Sequence, residues 1–66
     1  MFKIFVNGEA VETEAQNITE LLKHMAFDLA SVAVALDGNF LPKTRYSETE
    51  IHSGQKVEVL SPMQGG

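Results

Sequence analysis

A single helical stripe, set between stretches of strand-like alternation, constrains this chain more than any other feature. Ile18, Leu21, Leu22 and Met25 follow the i, i+3, i+4, i+7 spacing that places four apolar side chains on one face of a helix. Before and after them the apolar residues alternate with period two. A helix of this kind has to bury its stripe on a sheet. Because it joins an early hairpin to later strands, that sheet has to be mixed, with the helix packed across one face. The expectation is an α+β domain over residues 1–66, with four or five strands and one helix around one core.

The strands are read from alternation and turn chemistry. Met1 to Val6 puts Phe2, Ile4 and Val6 on one face and Lys3 and Phe5 on the other. Asn7-Gly8 follows, a pair that tolerates the positive φ of a type I′ turn, and Glu9 to Thr13 is the return strand. Asn17 is the expected N-cap, with Glu20 reaching back to it as in a capping box, and the helix is expected to end near Ala26 or Phe27. Ser31 to Asp37 reads as a Val-rich strand, turned at Asp37-Gly38 or Gly38-Asn39 into a short strand at Phe40-Leu41 that Pro42 stops. Lys43 to Glu50 is polar, with room for one short helical turn. Ile51 anchors that loop, Gly54 turns it, and Lys56 to Leu60 is the last strand, with Val57 and Val59 on one face and Glu58 and Leu60 on the other.

Composition excludes several function classes. Nine acidic against five basic residues, a formal charge of −4, argues against recognition of a phosphate backbone, so no nucleic-acid partner is expected. The absence of Cys removes thiol redox chemistry and zinc-thiolate sites. Neither an apolar run long enough to span a bilayer nor a leader-like segment is present, so no membrane partner is expected and the cytoplasm is the expected location. His24 and His52 lack metal-ligand spacing and read as surface histidines. A chain of this size has little room for a deep substrate pocket, which points to a carrier, modifier or binding module rather than a self-contained enzyme.

The last strand is followed by Ser-Pro-Met-Gln-Gly-Gly. Residues 61–66 read as a flexible tail. Pro62 lacks a backbone donor and stiffens the exit from the strand. Met63, Gln64 and Gly65 could thread a narrow channel in a partner, and the side-chain-free Gly65-Gly66 pair would bring the Gly66 carboxylate to a partner's active site.

The chain resembles the ubiquitin-like β-grasp proteins, and among them the ThiS family of sulfur carriers of thiamine biosynthesis. The resemblance spans the whole length and is carried by "FKIFVNGE", "NITELL", "VAVALDGNFLPKTRY" and "IHSGQKVEVLSPMQGG". Mild departures are Lys43 and Tyr46, where Arg and Trp are common, and His52 with Gln55 near Gly54, where acidic residues are common. The resemblance implies that an ATP-dependent activating enzyme adenylates the Gly66 carboxylate, that a persulfide donor protein supplies sulfur to give a thiocarboxylate, and that thiazole synthase receives that sulfur. ATP would be used by the activating enzyme, with no cofactor bound by this chain. It also implies docking through the tail and the sheet face that carries Phe5, Ala33, Ala35 and Leu60, where two alanines allow close approach. Sulfur carriage for molybdopterin, a ubiquitin-like modifier joined to lysines through Gly66, and a bare interaction module remain alternatives.

Overall fold

Two tight hairpins frame the domain. The computed structural model describes residues 1–61. Strands β1 (Phe2–Val6) and β2 (Glu9–Thr13) pair antiparallel, and so do β3 (Ala33–Leu36) and β4 (Asn39–Leu41). At the first turn Asn7 and Gly8 have φ of +52° and +87°, and at the second Asp37 and Gly38 have +50° and +87°. Positive φ at both central residues is the type I′ pattern, whose twist matches that of the flanking strands.

Between the hairpins lies helix α1 (Ile18–His24), and after them a short 3-10 helix (Lys43–Glu48) leads to β5 (Lys56–Leu60). The five-stranded sheet has the order β2-β1-β5-β3-β4, so the last strand in sequence is the middle one in space. It runs parallel to β1, with Phe5 opposite Lys56 and Val6 opposite Val57, and antiparallel to β3, from Ala33 opposite Leu60 to Leu36 opposite Val57. The mixed sheet expected from the sequence is therefore present.

Each hairpin turn is also tied to β5. Asn7 donates its backbone N–H to the Val57 carbonyl at 2.9 Å. Its side-chain amide then continues the ladder, with Oδ1 accepting from the Val59 N–H at 2.8 Å and Nδ2 donating to the Val59 carbonyl at 3.2 Å. On the other flank Asp37 donates its N–H to the Lys56 carbonyl at 2.8 Å, and its Oδ1 accepts from the Lys56 N–H at 3.0 Å. The β1–β5 pairing thereby extends beyond the last residue of β1.

The helix start follows expectation with one change. Asn17 Oδ1 accepts from the Glu20 N–H at 2.9 Å, but Glu20 Oε1 accepts from the Gln16 N–H at 2.9 Å rather than from that of Asn17. Asn17 itself is held in an antiparallel bridge with Glu50, and the flanking bonds run from Ile18 N–H to Thr49 O and from Ile51 N–H to Gln16 O. The carboxylate thus closes one residue earlier than a capping box would. These same bonds attach the loop after the 3-10 helix to the start of α1.

The helix stops at His24 with Met25 as its C-cap, sooner than the apolar stripe suggests. Ala26 turns into the left-handed region at φ +63°. Its N–H donates to the Lys23 carbonyl and that of Phe27 to the Leu22 carbonyl, at 3.1 and 2.9 Å. This is the bond pair of a Schellman turn, a position that usually holds Gly. Two strand boundaries also differ. The strand expected over Ser31 to Asp37 shortens to Ala33–Leu36, because Asp28 holds Ala30 N–H and the Ser31 hydroxyl in a turn and Asp37 belongs to the hairpin. β4 starts at Asn39, one residue early, since Asn39 pairs with Leu36.

The core lies between α1 and one sheet face. Ile4, Ile18, Leu21, Leu22, Val34 and Val57 are its largest fully enclosed side chains. Val6, Ala15, Val32, Tyr46, Ile51 and Val59 complete it, with Phe27 and Leu41 among the partly buried residues packed at its margin.

The left-handed Ala26 yields a test. An L-residue there costs about 1–2 kcal/mol, while glycine gives back about 0.4–1 kcal/mol through the freedom of the unfolded chain. Ala26→Gly should therefore raise stability by about 0.5–1 kcal/mol, read as a higher urea midpoint. An unchanged or lower midpoint would contradict this account of the helix stop.

Candidate functional site

The helix covers one face of the sheet and leaves the other open. Alternation along each strand sends Lys3 and Phe5 of β1, Ala10 and Glu12 of β2, Ala33 and Ala35 of β3, Phe40 of β4, and Lys56, Glu58 and Leu60 of β5 to that open face. Leu60 is 70% exposed and Phe40 72%, large values for apolar side chains in strands. Leu60 sits opposite Ala33, and Phe40 opposite Ala35. Two apolar ridges thus flank a floor of methyl groups.

Two open depressions of about 370 Å³ each adjoin at this place, and both are lined by Ala33, Phe40 and Leu60. One continues to Asn7, Ala35 and Glu58, the other to Lys43, Tyr46 and Ser61. Three of the four residues singled out from the sequence, Ala33, Ala35 and Leu60, therefore lie together. Phe5 is set apart. It is 36% exposed on the same face, but its neighbours across the ladders are Ala10 and Lys56. Leu60 lies four residues farther along β5 than Lys56, roughly 13 Å in strand geometry.

Phe40 is not among the site residues singled out from the sequence, where it reads only as the start of a short return strand. The signal was present in the pattern. Leu41 packs against the core, and its neighbour in a strand has to face the other way.

Ser61, the last described residue, lines one of the depressions. The segment that begins at Pro62 is therefore attached at its edge. Met63, Gln64, Gly65 and Gly66 lie outside the described residues.

Tyr46 closes the inner side of the same depression. It is 4% exposed, and its hydroxyl has no hydrogen-bond partner among the described residues. Burial disfavours the phenolate and raises the Tyr46 pKa above its ordinary value. Lys43 lies nearby and donates from Nζ to the Ala30 carbonyl, tying the start of the 3-10 helix to the turn that precedes β3. Glu48 and Glu50 line a separate polar depression with His52, whereas Glu58 faces the apolar one. Among the described residues no group of three or more His, Asp or Glu side chains gathers as a metal site, and no helix is long and apolar enough to cross a membrane.

Comparison with known proteins places these features among relatives. The model of the ThiS family matches residues 3–66. A protein of Thermus thermophilus described as the sulfur carrier protein ThiS is 32% identical over 63 residues, covering 96% of this chain and 98% of that one. A thiazole synthase of Paramagnetospirillum magneticum is 31% identical over 65 residues, which are 97% of this chain but 20% of that protein. The crystal structure of a thiamine biosynthesis protein (ThiS) from Geobacter metallireducens superposes with a TM-score of 0.84 at 30% identity, covering 98% of this chain and all of that one. A solution structure of a thiamine biosynthesis protein from the same organism gives 0.80 at 32% identity, over 98% of this chain and 88% of that one. The β-grasp fold expected from the sequence is the fold of these two solved structures.

Tyr46→Phe removes an unpartnered buried hydroxyl and should be neutral or stabilising by up to about 1 kcal/mol at neutral pH. The raised pKa means that the wild type loses stability once pH passes about 10, where the unfolded phenol ionises first, and goes on losing it up to the folded value. Urea midpoints measured from neutral to strongly alkaline pH should fall less steeply for the variant. Parallel curves would show that burial does not govern this ionisation.

Proposed function

This chain belongs to the ThiS family, and on that premise we propose that it is a sulfur carrier of thiamine biosynthesis whose reacting group is the Gly66 carboxylate. What carries this reading is the reach of the family match, which runs through β5 to residue 66 and takes in Gly65-Gly66. It acts in the cytoplasm as a co-substrate, and its partners perform the covalent catalysis.

A carboxylate repels nucleophiles and offers no good leaving group. An ATP-dependent activating enzyme overcomes both obstacles. A Gly66 carboxylate oxygen attacks the α-phosphorus of ATP, pyrophosphate leaves, and a mixed anhydride with AMP remains. The outer sulfur of a protein persulfide then attacks the acyl carbon and displaces AMP. A thiol cleaves the resulting acyl disulfide, freeing the thiocarboxylate and leaving a disulfide with the donor. Met63, Gln64 and Gly65 form the thread that crosses the partner's channel, and the small glycine cross-section suits a narrow passage.

The acceptor is thiazole synthase, which takes the sulfur for the thiazole ring. Support for this choice over molybdopterin comes from the likeness of nearly the whole chain to a fifth of a thiazole synthase. The Ala33–Ala35–Phe40–Leu60 surface is the docking face for these partners, with the tail starting at its edge. A modifier joined to lysines would use the same terminal chemistry, but no observation on this chain favours that reading.

Two experiments test the proposal. Incubation with the activating enzyme, ATP and a persulfide donor should yield a chain heavier by the difference between sulfur and oxygen, located at Gly66 by fragmentation. An unmodified carboxylate under those conditions would end the carrier reading. Leu60→Glu and Phe40→Glu should each raise the Kd for the activating enzyme by about thirtyfold or more, the size expected when a central apolar anchor is lost, and leave the fold intact. Phe5→Glu should weaken adenylation by a smaller factor. Equal effects at the three positions would spread the docking face across the whole sheet.

A further inference from the structure

Asn7 combines an unusual structural duty with a reactive neighbour. Its amide pairs in both directions with the Val59 backbone. It is solvent-exposed and lines the docking depression beside Glu58. It is also followed by Gly8, which has no side chain to hinder approach of its backbone nitrogen to the Asn7 side chain. Asparagine is among the chemically labile residues, and the other two asparagines precede Ile18 and Phe40, whose bulk shields the equivalent nitrogen.

We propose that Asn7 is a deamidation site guarded by the fold. The Gly8 nitrogen bonds to Asn7 Cγ, its proton passes through water to Nδ2, the Cγ–Nδ2 bond breaks, and ammonia leaves. A five-membered succinimide remains. Water adds to either ring carbonyl and opens the ring, leaving aspartate or isoaspartate at position 7. Water is the only co-reactant, and nothing is oxidised or reduced.

The guard is geometric. Two hydrogen bonds hold the amide against β5, the Asn7 N–H is bound to the Val57 carbonyl, and the backbone stands at φ +52°. To meet the Gly8 nitrogen, the amide has to release Val59 and rotate away. Reaction therefore proceeds from the locally opened population, and its rate falls with that population.

The product differs from Asn7 where it matters. A carboxylate still accepts from the Val59 N–H, but it sets a second oxygen against the Val59 carbonyl where a donor stood. Isoaspartate also adds a backbone atom to the two-residue turn that sets the β1–β2 register. The new negative charge stands beside Glu58. Its effect on partner docking rests on the carrier reading above; the chemistry of Asn7 does not.

The test holds the full chain in mildly alkaline buffer, folded and in concentrated urea, and follows each asparagine by peptide mass spectrometry with isoaspartate separated. In urea, Asn7 should gain the mass of water less ammonia well before Asn17 and Asn39, and folding should slow this at least about tenfold. Equal rates folded and unfolded would overturn the guard, and no lead over Asn17 and Asn39 in urea would overturn the site. Asn7→Asp should unfold at lower urea concentration and bind the activating enzyme more weakly; an unchanged urea midpoint would overturn the structural consequence. If wild-type chain never forms a thiocarboxylate, the carrier reading fails while the mass result at Asn7 still stands.

Discussion

The insertion of β5 between two hairpins is the interaction on which the rest of this domain depends. Without it, β1–β2 and β3–β4 would be separate two-stranded ribbons, which are marginal in water. β5 joins them and adds Val57 and Val59 to the core beneath α1. Complete burial of a valine is worth about 1.5–3 kcal/mol, against a net of about 1 kcal/mol for one hydrogen bond. Burial therefore holds the strand in the sheet. The bonds from Asn7 and Asp37 do a different task, fixing where along the two hairpins it sits.

That placement also determines which surface is available. With α1 over one face, the alternation that buries Val57 and Val59 turns Lys56, Glu58 and Leu60 outward. Leu60 then meets the small Ala33, with Phe40 standing on the edge strand. The charged side chains of this face are Lys3 and Glu12 on the first hairpin and Lys56 and Glu58 on β5, while the apolar part collects around Leu60, at the end where the chain goes on to Ser61 and Pro62. A partner that grips this end is positioned to receive the residues beyond Pro62.

Much of this was legible in local chemistry. Asn7-Gly8 announced its turn, because few other pairs accept positive φ at both central positions, and the second turn was placed at Asp37-Gly38 or Gly38-Asn39, of which the structure has the first. The stripe of Ile18, Leu21 and Leu22 gave the helix and its buried face. Features set at long range were not legible. The pairing of the Asn7 amide with Val59 joins residues 52 apart, so a residue read only as a turn former also extends the ladder. The helix stop before Ala26 carried no glycine to mark it; the packing of the partly buried Phe27 against the core and the Schellman bonds accompany a conformation that alanine alone disfavours. Phe40 escaped notice because its exposure depends on Leu41 facing the core. The tail could be read for its chemistry, but its terminal residues fall outside the described structure.

The middle position of β5 also orders events in time. During synthesis both hairpins and the helix emerge first, and they have no shared sheet until the strand made after them is released. Most of the sheet's closure therefore waits on contacts distant in sequence, the kind that form late. A chain cut short before residue 60 would lack the element that joins its halves as well as Leu60, so an incomplete product would not present the apolar surface. Assembly of the sheet thus requires synthesis to have passed residue 60, and a partner that recognises the assembled sheet selects chains that have passed that point.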